Sequence, residues 1–91
     1  MLSYSEAQAY LRSADVDFDT LADDACEWTS AKDVTVADVC VRDGDVAIYL
    51  WRRDLNAGCW LTDESICRFA EWLRARNAPM PLQARRLMPI L

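Results

Sequence analysis

The sequence has no histidine, and its only glycines are Gly44 and Gly58. The first absence removes the usual general base and the commonest metal ligand. The second leaves little material for a phosphate-cradling loop, and no P-loop, G-x-G-x-x-G, G-x-S-x-G or EF-hand spacing occurs. No C-x-x-C links Cys26, Cys40, Cys59 and Cys67, which lie 14, 19 and 8 positions apart, so a structural zinc would need four scattered thiolates. Two disulfides are formally open to an even count. Free, buried thiols are the expectation, because cysteine packs as a small hydrophobe and a reducing compartment keeps it so. Also lacking are any run of about 18 apolar residues that would cross a membrane and, in "MLSYSEAQAYLR", the basic-then-apolar order of a signal peptide. A cytoplasmic chain with no metal, no cofactor and no membrane contact is therefore expected. A carboxylate pair such as Asp23 and Asp24 can in principle share acid and base roles. On a helix surface without a cleft it does not, and no enzymatic activity is expected.

What is present is acid, unevenly placed. Residues 1–45 carry eleven carboxylates against Arg12, Lys32 and Arg42, a balance of −8, whereas residues 46–91 carry four against seven arginines, a balance of +3. One domain spanning residues 1–91 is expected from the length, with a small core that buries about 60% of the surface exposed by the unfolded chain. Across so small a domain this asymmetry makes a dipolar surface, which suits an electrostatically steered partner as well as plain solubility.

Periodicity gives the order of elements. Ser3 and Glu6 have capping-box spacing, and Tyr4, Ala7, Leu11 and Ala14 recur as one helical face, so a first helix is expected from Ser3 to about Ala14. Asp17 is placed to cap a second helix over residues 18–29, whose apolar stripe is Phe18, Leu21, Ala22, Ala25 and Trp28. The period then changes to two. "VTVADVCVRDGDVAIYLW" reads as a hairpin about Asp43-Gly44, a pair suited to a type I′ turn, with Arg42 opposite Asp45 and Val39 opposite Ile48. Val39, Val41, Val46, Ile48 and Leu50 then share the core face, and Cys40, Tyr49 and Trp51 the other. "RRDLNAG" is a second turn and "CWL" a short third strand. Thr62 caps a helix with Ile66, Phe69, Ala70 and Leu73 as its buried stripe, ended by Asn77 and Pro79. The tail from Pro81 either packs as one more short helix or forms an apolar-basic arm. The fold class is thus α+β: two N-terminal helices, a three-stranded antiparallel meander, a C-terminal helix and a short tail.

The second helix carries the candidate site. In "DVDFDTLADDACEW", residues 15–28, Asp19, Asp23 and Glu27 recur at i, i+4, i+8, about 6 Å apart along the axis. Like charges at this spacing repel by a few tenths of a kcal/mol per pair. No cation is interleaved within the helix. Asp15, Asp17, Asp19, Asp23, Asp24 and Glu27 are the candidate partner-binding residues, and Tyr49 and Trp51 offer a second surface on the sheet. Direct nucleic-acid binding through the arginines and tryptophans is opposed by a pI near 4.5. The expected partner is instead a protein with a basic, nucleic-acid-binding surface. The chain itself is expected as a monomer or homodimer.

"ESICRFAEWL", residues 64–73, resembles the strand-then-helix segment of small acidic anti-CRISPR proteins that inhibit type I-F surveillance complexes by mimicking DNA. The likeness lies in the serine-isoleucine start and the aromatic-alanine-acid-tryptophan-leucine run that follows. It implies an α+β domain of phage or mobile-element origin, without enzymatic activity, that binds the nucleic-acid site of a bacterial defence complex such as a CRISPR effector. In that family the acidity continues through the C-terminal helix. Here Arg68, Arg74, Arg76, Arg85 and Arg86 make that end basic, which moves the implied binding face to the N-terminal helices. The alternative is a non-enzymatic interaction module, an immunity protein or a small adaptor that dimerises through Tyr49, Trp51 and the tail.

Overall fold

A computed structural model describes residues 1–29 and 34–78, with the backbone alone for 34–37. The expectation of an α+β fold is met, in the expected order: helix, helix, three-stranded antiparallel meander, helix. The tail beyond Pro79 and the residues joining the second helix to the first strand lie outside the described residues.

Helix α1 (Tyr4–Leu11) starts in the expected capping box, with the Glu6 N–H donating to Ser3 Oγ at 3.1 Å and the Ser3 N–H donating to Glu6 Oε1 at 3.1 Å. It stops three residues short of the expected end. The N–H and hydroxyl of Ser13 both donate to the Tyr10 carbonyl, at 3.0 and 2.7 Å, which tightens the chain into a three-residue turn. Ala14 is consequently exposed rather than part of the apolar face, while Leu2 joins the core.

Asp17 caps the next element as expected, accepting from the Asp19 N–H at 3.0 Å. The first turn it caps is a 3-10 turn (Phe18–Thr20), and α2 proper is Leu21–Thr29. At about 2.0 Å rise per residue rather than 1.5 Å, a 3-10 turn carries Phe18 farther along the axis from Leu21 than an α-turn would. Phe18 is 42% exposed, so it is not the core residue the stripe predicts. Leu21 and Ala25 are fully buried, and Trp28 packs on Phe69 with ring centroids 5.5 Å apart.

The hairpin forms in the expected register. β1 (Val34–Arg42) and β2 (Asp45–Arg52) pair Arg42 with Asp45, Val41 with Val46, Cys40 with Ala47, Val39 with Ile48 and Asp38 with Tyr49, and a bulge lies between Val36 and Asp38. Asp43 and Gly44 have φ of 51° and 85°, the two positive values that a type I′ turn requires. Val46, Ile48 and Leu50 face the core. Val41 does not complete that face: near the tip it is 56% exposed, because α1 holds only the β2 side of the hairpin there.

That hold is made by Gln8. Buried at 5% exposure, its amide nitrogen donates to the Val46 carbonyl at 2.9 Å and its amide oxygen accepts from the Val46 N–H at 2.8 Å. The reason lies in the ladder. The Leu61 N–H donates to the Ile48 carbonyl at 2.8 Å, so even-numbered residues of β2 direct their backbone groups toward β3 (Ala57–Trp60). β3 ends before it reaches Val46, and Gln8 supplies the missing pair. Tyr4 and Arg12, one helical turn to either side, add bonds to the Asp45 carboxylate at 3.1 Å and the Gly44 carbonyl at 2.7 Å.

β3 begins two residues earlier than expected and pairs Tyr49 with Trp60, Leu50 with Cys59 and Trp51 with Gly58. Helix α3 (Asp63–Asn77) is capped by Thr62, whose hydroxyl accepts from the Ser65 N–H at 3.2 Å, and buries Ile66, Phe69, Ala70 and Leu73 as expected. Each large side chain so buried contributes about 1.5–3 kcal/mol. The three helices share one core with the inner face of the sheet.

Candidate partner-binding surfaces

Two surfaces emerge, one on α2 and one on the sheet. The acids of the first fall into distinct groups. Asp17 is occupied as a cap, and Asp24, half-buried, accepts from the Thr20 hydroxyl at 3.2 Å. Glu27 is ion-paired with Arg76 of α3 at 2.5 Å, and the Arg76 guanidinium also lies over the Trp72 ring, 5.1 Å from its centroid. This hydrogen bond to Glu27 is the main cause of a raised Arg76 pKa.

The unrelieved, regular stripe expected of Asp19, Asp23 and Glu27 is therefore corrected at both ends. Glu27 has a cation, Arg76, supplied by α3 from far along the sequence where pattern reading could not place it, and Asp19 stands on the 3-10 turn rather than at α-helical spacing from Asp23. What remains is Asp15, Asp19 and Asp23. All three are exposed and none is ion-paired among the described residues. Asp15 rims a hollow with Tyr10, Arg74 and Asn77, where the Asn77 amide donates to the Tyr10 hydroxyl at 3.3 Å.

The second surface is the outer face of the sheet. Tyr49 and Trp51 are half-buried on it as expected, and β3 adds Trp60. Trp60 is 40% exposed, meets Tyr49 edge-on with centroids 5.3 Å apart, and carries the Arg42 guanidinium 4.3 Å above its ring. A Cβ at Gly58 would stand 2.0 Å from Tyr49 Oη, so the tyrosine ring lies flat across the glycine. The pairing that sets Tyr49 opposite Trp60 follows from a third strand one turn later. Carrying the register through "RDLNAG" was the step that would have found Trp60 and Arg42 from sequence.

The polar seam between α1 and the hairpin is structural. Burial, followed by the hydrogen bond to Asp45, raises the Tyr4 pKa, and the Ser3 N–H holds the Glu6 carboxyl below its ordinary value. Among the described residues no group of three or more cysteines and carboxylates is placed to hold a metal ion, and no helix is long and apolar enough to cross a membrane. Cys59 is exposed, whereas Cys26, Cys40 and Cys67 are half-buried thiols, so full burial of all four is not met. Neither family models, nor curated proteins, nor solved structures give a match to this chain.

Proposed function

We propose that the chain is a protein-binding inhibitor, of anti-CRISPR type, that covers a basic nucleic-acid-binding surface of a bacterial defence complex with the acids around α2. It acts by occupying that surface and turns over no substrate. The observation that carries this reading is a contrast in charge pairing. Arg52, Arg68 and Arg76 each hold a carboxylate of the same molecule, at 2.8, 2.6 and 2.5 Å, while Asp15, Asp19 and Asp23 stand exposed without such a partner among the described residues. Clustered charge of one sign costs self-repulsion and gains it back only against a surface of opposite sign. Support also comes from the resemblance at residues 64–73, with the binding face moved to the N-terminal half.

The test is capture of a CRISPR effector complex by the chain, competed with double-stranded DNA. The double variant Asp19→Lys/Asp23→Lys should lose capture, and binding by the native chain should weaken steeply with salt. Asp17 and Glu27 are poor test positions, since changing them also removes a cap and an ion pair. If the double charge reversal leaves capture and its salt dependence unchanged, acidic mimicry is wrong.

A second reading is favoured by the aromatic outer face. A non-enzymatic interaction module would engage its partner through Tyr49, Trp51 and Trp60, and would respond to Tyr49→Ala or Trp51→Ala rather than to the aspartates.

A further inference from the structure

We infer that the free edge of β3 pairs with the same edge of a second copy of this chain, antiparallel about a two-fold axis at Cys59. The inference goes beyond the inhibitor reading and does not depend on it. The four residues of β3 are all exposed and uncharged, and no strand pairs with their outer side among the described residues. Natural edge strands are blunted by lysine, proline, bulges or covering elements, because a bare edge recruits another strand. Among the described residues β3 has only its shortness.

The ladder fixes the register. Leu61 bonds back to Ile48, so Leu61, Cys59 and Ala57 direct their backbone groups to β2, and Gly58 and Trp60 direct theirs outward. Setting Gly58 opposite Trp60 of the second copy satisfies the N–H and C=O of both residues in each chain. Cys59 then faces its own symmetry mate at a non-hydrogen-bonded position, where Cβ atoms stand about 4.5–5.5 Å apart. On the outer face each Trp60 is brought beside the other copy's Gly58, over which Tyr49 lies. The two aromatic pairs merge across the axis.

Charge selects a second copy as the occupant. The same register brings Arg53 toward Asp63 at the start of α3, neither of them ion-paired among the described residues, while Asp54 and Glu64 are already held by Arg52 and Arg68, and it does so twice. The acids of α2 are kept apart, because α2 lies against β1, the opposite edge of the sheet. A chain of net charge −5 thereby associates away from the acids of α2.

Sedimentation of the full chain at about 100 μM, where an interface of micromolar Kd is filled, tests the association. The expected mass is twice the 10.4 kDa of one chain. Cys59→Lys, which sets two ammonium groups face to face at an exposed position, should return the mass to one chain with an unchanged far-UV spectrum, and its melting temperature should no longer rise with protein concentration. With Cys26, Cys40 and Cys67 changed to serine, mild oxidation should trap a covalent dimer through Cys59 alone. A native chain that sediments as a monomer overturns the inference, as does a dimer that survives Cys59→Lys. Should the triple serine variant fail to fold, the sedimentation pair decides alone.

Discussion

The two edges of the sheet could hardly differ more. Along β1 lies α2, with its acids turned to solvent and its apolar stripe against the sheet; along β3 lies nothing described, and the strand has no charge of its own. The same three strands thus present, among the described residues, one edge strand with a charged helix packed beside it and a neutral one with none. A helix packed beside an edge strand is one way to keep it from pairing, and here that helix brings the charge with it. The bare edge keeps its hydrogen-bonding capacity, and the aromatic residues beside it add apolar area.

The largest expected effect comes from creating another bare edge in the wrong place. Gln8→Leu leaves the N–H and C=O of Val46 without partners in a buried setting, and each such group costs about 1–3 kcal/mol. A loss of about 3 kcal/mol is expected in urea titration, a large share of the stability of so small a domain. A loss below about 0.5 kcal/mol would mean that water replaces Gln8 at little cost, and the two edges would be less different than they look.

Next is Gly58→Ala on the bare edge itself. The new methyl collides with the Tyr49 ring, which must swing off Trp60, and overpacking of this kind costs about 1–3 kcal/mol in a core and less at a surface. Tryptophan fluorescence should shift red as Trp60 loses its neighbour, with stability falling by about 1 kcal/mol. An unshifted spectrum would show that Tyr49 relaxes without uncovering Trp60.

On the covered edge, Arg76→Ala should change stability little, since exposed ion pairs contribute little. Its informative effect is on binding: with Glu27 released, the acidic surface gains one unpaired carboxylate, and capture of the effector should become stronger and more salt-sensitive. Weaker capture would mean that the Glu27–Arg76 pair positions α2 rather than neutralising it.

Smallest is a pH effect at the capping box. The Glu6 pKa is lowered by the Ser3 N–H, so its contribution is complete above the unfolded value of 4.5 and is lost as pH falls through the lower folded value. Glu6→Gln should flatten the acid side of the melting-temperature profile by a small amount. An identical profile would place the capping box outside the cooperative fold.

Much of this was legible in the residues. Asp43-Gly44 between two runs of period two allows one hairpin register, and the structure has it. The stripe of α3 and the caps Ser3, Asp17 and Thr62 were equally plain, because each depends on neighbours within four positions. What escaped was long-range or locally irregular. Gln8 reads as a surface residue until the end of β3 is known, and Arg76 reads as a helix-dipole cation until α2 is packed beside α3. Phe18 fits an α-helical stripe that the 3-10 turn breaks.

The Gln8 fork also ties motion in one element to motion in another. Val46 donates its N–H to a side chain of α1 rather than to a strand, so its amide hydrogen exchanges with solvent only when α1 lifts away or the whole domain opens. Gly58 and Trp60, farther along the same meander, turn their amides outward and in a lone chain exchange at nearly the free-peptide rate. One slow amide and two fast ones thus separate the undocking of the first helix from the pairing of the last strand, and deuterium uptake at these three sites times each independently.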